Sequence, residues 1–219
     1  MGVAMKRIIM CVLLCILGVG SALAQEAITI SPGKDFTVYE KPKPTNATPD
    51  RVELVYFYWY GSPWAKEIDR DLRTWANTRP YGVKLIPAPA AFGSKHEIFG
   101  ARIFFALELL GKEQEISPLL LEAVSQRTLN FDSIPAIVKW MDARGVPEKD
   151  FLKAMDDPRT KASTARVQDV MKIYGIKSVP TVVINGKYVV RAYDKVPPAR
   201  FLQIVKVLTQ RLAETSQKR

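Results

Sequence analysis

Cysteine is almost absent from this sequence. Of its 219 residues, only Cys11 and Cys15 are cysteines, and both lie near the N terminus. A chain that loses its first segment would have no thiol, so it could neither form a disulfide nor carry out cysteine redox chemistry. Its fold would have to depend on packing alone.

Histidine is equally scarce, and no charge of one sign is concentrated in a single run. His96 is the only histidine, so a histidine–cysteine metal cluster is excluded. The net charge of +10 is spread among acidic neighbours, as in AKEIDRDLR at residues 65–73, which favours a solvated surface. No motif of a nucleic-acid-binding fold is present. We therefore expect no metal, no cofactor and no nucleic-acid partner.

The longest apolar run lies at the N terminus. Lys6 and Arg7 precede an apolar segment from Ile8 to about Val19, and Ala22-Leu23-Ala24 then matches the small-x-small pattern of signal peptidase cleavage. The run is too short for a permanent membrane span. The pattern predicts a signal peptide over residues 1–24 and a periplasmic or secreted mature protein.

A lipoprotein is the alternative interpretation of the same segment, because it contains Cys11 and Cys15. Met10 and Leu14 precede those cysteines, whereas a lipid-attachment cysteine follows a small residue. The signal peptide is therefore the better interpretation.

The first part of the remaining chain predicts an exposed segment followed by a strand, a helix and a strand. Residues 25–50 are polar and contain several prolines, which indicates an exposed lead-in. VELVYFYW at residues 52–59 is almost uniformly apolar, as expected for a strand covered on both faces. Ser62 is a good N-cap, with Pro63 at the first helical position. VKLIPAPA at residues 83–90 predicts a second buried strand.

Residues 94–175 contain helical patterns and no strand pattern. They begin with a capping box formed by Ser94 and Glu97. TVVINGKYVV then predicts a β-hairpin, because Asn185-Gly186 supplies the positive φ angles of a tight turn. A final amphipathic helix extends to about Leu212. The order of strand, helix, strand, helical block, hairpin and helix predicts an α/β fold interrupted by a helical segment.

This order resembles the DsbA family of thiol:disulfide interchange proteins. The segments that carry the resemblance are YGSPWAKEI, ARIFFALELLG and YGIKSVPTVVINGKYVV, which begin at residues 60, 101 and 174. The resemblance implies a thioredoxin-like fold over residues 51–93 and 176–219, with an inserted helical domain over residues 94–175. It also places the family's cis-proline at Pro180.

The resemblance fails at the position of the family's Cys-Pro-His-Cys motif. This chain has Ser62, Pro63, Trp64 and Ala65 there, and Tyr56 replaces the buried acid of the preceding strand. A serine hydroxyl titrates roughly five units above a thiol, which corresponds to a deficit of about 7 kcal/mol. A helix N-terminus contributes at most about 2 kcal/mol toward that deficit. No catalytic residue for disulfide exchange is therefore expected.

Binding without redox chemistry is the first of three functional hypotheses. In this family the surface beside the active-site helix and the cis-proline loop resembles a peptide-binding groove, and a backbone edge there could pair with an unfolded or extended polypeptide. Trp59, Tyr60 and Trp64 would add apolar contacts. The predicted binding residues are Trp64, Val179, Pro180 and Thr181.

Two other hypotheses belong to different classes. Ser-Pro-Trp-Ala also resembles the Ser-Pro-aromatic motif of kappa-class glutathione transferases and related isomerases, in which Ser62 would stabilise the thiolate of glutathione. A structural partner in an envelope assembly is the third, based on the apolar run PLLLEAV at residues 118–124. His96 lacks a recognisable partner in sequence and is expected to be solvated.

Overall fold

The computed structural model describes residues 28–79, 82–192 and 196–217. The predicted signal peptide, residues 1–24, lies outside these ranges. Within them, no helix combines the length and the apolar character needed to cross a membrane.

One mixed sheet forms the centre of the fold. Its strands are β1 (Thr37–Val38), β2 (Arg51–Tyr58), β3 (Gly82–Pro89), β4 (Thr181–Ile184) and β5 (Tyr188–Arg191), arranged in the order β1-β5-β4-β2-β3. The central strand β2 runs parallel to β3 and antiparallel to β4. The edge strand β3 contains Pro87 and Pro89, which have no backbone N–H to donate.

Seven helices surround this sheet in the described part of the chain. They are α1 (Pro63–Asn77), α2 (Lys95–Leu109), α3 (Glu113–Ser125), α4 (Ile134–Asp142), α5 (Glu148–Asp156), α6 (Pro158–Tyr174) and α7 (Pro198–Gln217). Helices α2 to α6 follow one another without an intervening strand, as the sequence pattern predicted. The strand order and this helical insertion confirm the expected thioredoxin-like α/β fold.

Alternating side chains of β2 separate two apolar cores. Leu54, Tyr56 and Tyr58 belong to the larger core with α1 and α7, while Val55 and Phe57 belong to a second core with α6. Both faces of the strand are covered, which explains why its sequence is almost uniformly apolar. The helices α6 and α7 consequently lie on opposite sides of the sheet.

The hairpin between β4 and β5 has the predicted turn. Asn185 and Gly186 adopt φ angles of 48° and 62°, and the Lys187 amide donates to the Ile184 carbonyl at 2.9 Å. A Cβ atom on Gly186 would lie 2.2 Å from the backbone oxygen of Lys43. Glycine is therefore required both by the turn and by the close passage of the N-terminal segment.

That N-terminal segment is less exposed than its composition led us to expect. Within residues 28–50, strand β1 pairs with β5, and Ile30 and Phe36 are buried. Asp35 is also buried, and its carboxylate lies 2.8 Å from the Arg200 guanidinium of α7. The segment's few apolar residues and this ion pair fix it to the domain at these points, while most of its other residues are exposed.

Candidate functional site

The candidate site begins where β2 ends and α1 starts. Ser62 has extended backbone angles and its hydroxyl accepts a hydrogen bond from the Ala65 amide at 3.3 Å. Its own amide donates to the Trp59 carbonyl at 3.0 Å. Ser62 is thus the predicted N-cap, and the Ala65 side chain is fully buried beneath it.

The Trp59 ring covers the turn that precedes Ser62. A Cβ atom on Gly61 would lie 2.2 Å from the Trp59 ring, so any larger residue at this position would force that ring to move. Trp59 is half-buried and packs against the core on the α6 side of the sheet. Its contact with Gly61 gives this side chain a packing role within the turn.

The loop before β4 lies at the same end of the sheet. The Val179–Pro180 bond is cis, as predicted. Thr181 pairs with Phe57 of β2, so continuing this antiparallel register places Val179 on the Trp59 side. Neither the amide nor the carbonyl of Val179 hydrogen-bonds to another described residue. Within the described residues, this loop therefore has an unpaired backbone edge at the end of the sheet where α1 begins.

The predicted binding residues differ in their accessibility. Trp64 and Val179 are partly exposed, whereas Pro180 and Thr181 are buried. Thr181 lies between β2 and β5, and its hydroxyl donates to the Ser178 carbonyl at 2.8 Å. The side chains accessible for contact are therefore those of Trp64 and Val179.

The expected apolar contact through Tyr60 was wrong. Tyr60 is fully enclosed, with 1% of its surface exposed, and its hydroxyl lies 2.8 Å from the Ser117 hydroxyl of α3. The neighbouring residues in sequence are apolar at both core and surface positions, so the sequence alone did not show that Tyr60 is buried. Its buried hydrogen bond instead connects the end of β2 to the helical insertion.

Three tyrosines form a buried aromatic stack behind α1. Tyr56 stacks on Tyr58 with ring centroids 5.2 Å apart, and Tyr58 meets Tyr60 edge-on at 5.5 Å. The Tyr56 hydroxyl makes a long hydrogen bond of 3.5 Å to the Ala65 carbonyl. Burial raises the pKa of all three phenols, so they remain neutral. Neutral hydroxyls therefore occupy the interior beneath the candidate site.

An ion network within the same interior was missed by the sequence analysis. Arg73 of α1 binds Asp69 through two contacts of 2.9 and 3.0 Å, and reaches Glu113 of α3 at 2.9 Å. Burial raises the pKa of Asp69 although Arg73 opposes the shift. The interpretation of these charges as solvated was wrong. The i, i+4 spacing of Asp69 and Arg73 was the sequence signal for this ion pair, but the same spacing also occurs on exposed helices.

His96 has a partner that the sequence did not reveal. Its Nδ1 atom lies 2.8 Å from a carboxylate oxygen of Asp132, and both side chains are mostly exposed. His96 is therefore solvated, as expected, and it contacts Asp132 because the loop before α4 returns to the start of α2. The contact is an exposed link between two parts of the helical insertion.

The other sequence features do not form a chemical centre. No cluster of three or more histidine, cysteine, aspartate or glutamate residues that could hold a metal occurs within the described ranges. In the apolar run of α3, Leu120 and Leu121 are buried, and Leu119 is the one apolar side chain of the run that is substantially exposed. This run mainly supplies core contacts.

Comparison with known proteins identifies the family. A family model described as a DSBA-like thioredoxin domain matches residues 41–205. The chain belongs to this family. It is similar to the thiol:disulfide interchange protein DsbA of Burkholderia cepacia, with 28% identity over 185 residues, covering 84% of this chain and 86% of that protein. The corresponding protein of Pseudomonas syringae pv. tomato is 28% identical over 165 residues, covering 75% and 76%.

The fold of this DSBA-like chain also matches solved structures. The crystal structure of Pseudomonas aeruginosa DsbA superposes with a TM-score of 0.75 at 22% identity, covering 86% of this chain and 97% of that one. Within this shared fold, the chain has a hydroxyl at Ser62 and a methyl group at Ala65. Neither group can undergo thiol–disulfide exchange.

Proposed function

We propose that this DSBA-like protein is exported and binds extended or unfolded polypeptide without catalysing disulfide exchange. The observation that carries the proposal is the backbone of Val179, which has no hydrogen-bond partner in the described part of the chain and lies at the end of the sheet where α1 begins. An extended chain can add to such an edge through main-chain hydrogen bonds, which are largely independent of its sequence. Binding of this kind needs no thiol.

Trp64 supplies the apolar part of the proposed surface. Its side chain is partly exposed in the first turn of α1, while its inner part packs against the larger core. A large aromatic ring held in this way contributes contact area at a low cost in conformational entropy. Phe92, with 43% of its surface exposed, adds a second aromatic in the loop that follows β3.

The hydroxyl of Ser62 has a structural role in this proposal. It caps α1 and keeps the helix start ordered, as expected for a serine N-cap. Replacement of the two motif cysteines by serine and alanine would leave the surface around them available for binding. The protein would then hold polypeptides in the compartment where its relatives exchange disulfides.

Binding should be measured with reduced, carboxymethylated α-lactalbumin, a permanently unfolded probe that lacks free thiols. We expect the mature protein to bind it and Trp64→Ala to weaken binding about fivefold to thirtyfold, as expected for an aromatic contact worth about 1 to 2 kcal/mol. Isothermal titration calorimetry measures the affinity, and circular dichroism checks the fold of each variant.

Leu152→Ala provides the matched control. Leu152 is an exposed apolar residue of α5, with 40% of its surface accessible, and lies in the helical insertion. Its substitution should leave the affinity unchanged. Equal affinities for wild type, Trp64→Ala and Pro180→Ala would contradict the proposal, as would the absence of any binding. Saturable binding of glutathione that is lost in Ser62→Ala would favour the transferase alternative.

A further inference from the structure

A cavity of about 600 Å³ lies on the side of the sheet opposite α7. Its floor includes Val55 and Ile86 from β2 and β3, and its walls come from α2 and α6. Phe105 of α2 and Val170 of α6 contribute apolar contacts from the two walls. A volume of this size and a lining that combines apolar and polar side chains are typical of small-molecule sites.

Three charged side chains line this cavity, and two of them are unpaired. The Glu53 carboxylate of β2 accepts hydrogen bonds from the Thr45 hydroxyl and the Asn46 amide. Glu108 of α2 and Arg166 of α6, both exposed, each make no ion pair or side-chain hydrogen bond to the described parts of the chain. Partial burial and the nearby Glu113 raise the pKa of Glu108. Ser163 precedes Arg166 by one helical turn and lines the same cavity. The site thus offers a carboxylate on one wall and a guanidinium with a hydroxyl on the other.

A smaller cavity of about 210 Å³ shares Phe105, Glu108 and Ser163 with the first. Thr160 lines it, and the Thr160 hydroxyl is buried without a hydrogen-bond partner among the described residues. Buried hydroxyls are usually satisfied by a partner. The two cavities therefore lie side by side in a groove between α2 and α6, and the smaller one contains a polar group with no partner among the described residues.

We infer that this groove, named here the α2–α6 groove, binds short apolar peptides with free termini. The peptide ammonium would pair with Glu108 and its carboxylate with Arg166, while its side chains lie against Phe105 and Val170. Charge complementarity selects this class, because an anionic ligand alone would face Glu108 and a cationic one would face Arg166. The volume fits two or three residues. This site is separate from the polypeptide surface at Trp64.

The probe for this inference is the tripeptide Leu-Phe-Leu, tested with free termini, with an acetylated N terminus and with an amidated C terminus. We expect saturable binding of the free form and a loss of at least about threefold on blocking either terminus, since each exposed ion pair contributes modestly. Glu108→Gln should weaken binding of the free peptide but not of the acetylated one. Arg166→Gln should weaken binding of the free peptide but not of the amidated one.

Two further variants locate the binding site. Arg211→Gln removes an exposed arginine from α7, on the opposite side of the sheet, and should have no effect. Val170→Trp should abolish binding by filling the groove, with calorimetry for affinity and circular dichroism for the fold. The inference is overturned if the peptide does not bind, if capped and free forms bind equally, or if Trp64→Ala rather than Val170→Trp removes binding.

Discussion

The ion network of Arg73, Asp69 and Glu113 is buried, so the stability that its loss would cost can be predicted. Arg73→Met keeps an unbranched side chain of similar length but removes the guanidinium that binds Asp69 and Glu113. The Asp69, Glu113 and Arg73 side chains are 2%, 11% and 14% exposed, so water cannot replace the lost cation effectively. Removing one partner of a buried pair costs about 3 to 5 kcal/mol. We expect a decrease of that order in the free energy of unfolding at pH 7.

The decrease in the unfolding free energy of Arg73→Met should depend on pH in a defined direction. Burial raises the pKa of Asp69, and Arg73 opposes that rise, so the variant's Asp69 should have a still higher pKa. A carboxyl with a raised folded-state pKa favours folding below its unfolded-state pKa, and this contribution is lost as the pH rises through the folded-state pKa. The deficit of Arg73→Met should therefore be largest at neutral pH and shrink as the pH falls toward about 4.

Urea unfolding followed by circular dichroism measures this effect at several pH values. Arg70→Met is the matched control, because Arg70 lies on the same helix but its side chain is 86% exposed and pairs with Asp71 at the surface. Its substitution should change the free energy of unfolding by less than about 0.5 kcal/mol. The reasoning is refuted if both variants lose the same stability, or if the Arg73→Met deficit does not vary with pH.

Three predictions concern the turn at the start of α1. The mature protein should not reduce insulin above the uncatalysed rate, and catalysis by a preparation free of other oxidoreductases would contradict the proposed function. Ser62→Cys combined with Ala65→Cys should form an intramolecular disulfide, because residues three apart across a helical turn have Cα atoms about 5 to 6 Å apart, within the range of disulfides; two thiols still free after oxidation would show that the positions are not suitably arranged. Gly61→Ala should lower the unfolding free energy by about 1 to 3 kcal/mol, because its Cβ atom would overlap the Trp59 ring; an unchanged thermal midpoint would argue against that contact.

The backbone architecture could be predicted from sequence because its signals are local. Ser62 and Ser94 cap their helices as expected, and Asn185-Gly186 forms the predicted turn. The strand from Val52 onward is apolar on both faces because helices cover both faces. Each of these signals depends on a few neighbouring residues, so no knowledge of distant contacts was needed.

The details of the candidate site could not be predicted in the same way. Asp69 and Arg73 have the spacing of a surface pair, and only the packing of α3 against α1 shows that they are buried. Tyr60 and Trp64 are both aromatic residues close to the motif, yet one faces the interior and the other reaches the surface. Likewise, Asp132 lies 36 residues after His96 in sequence but contacts it in the fold. Exposure and partners at these positions depend on tertiary contacts.

The prolines of the edge strand have a consequence for the proposed binding of unfolded chains. An open strand edge is a template on which partly folded molecules can aggregate. Pro87 and Pro89 remove two potential donors from the β3 edge and so discourage uncontrolled sheet extension there. The loop at Val179 directly precedes β4, which is an inner strand of the sheet rather than an edge strand. An unfolded polypeptide could therefore pair at that loop and be released, without this protein itself becoming part of a growing aggregate.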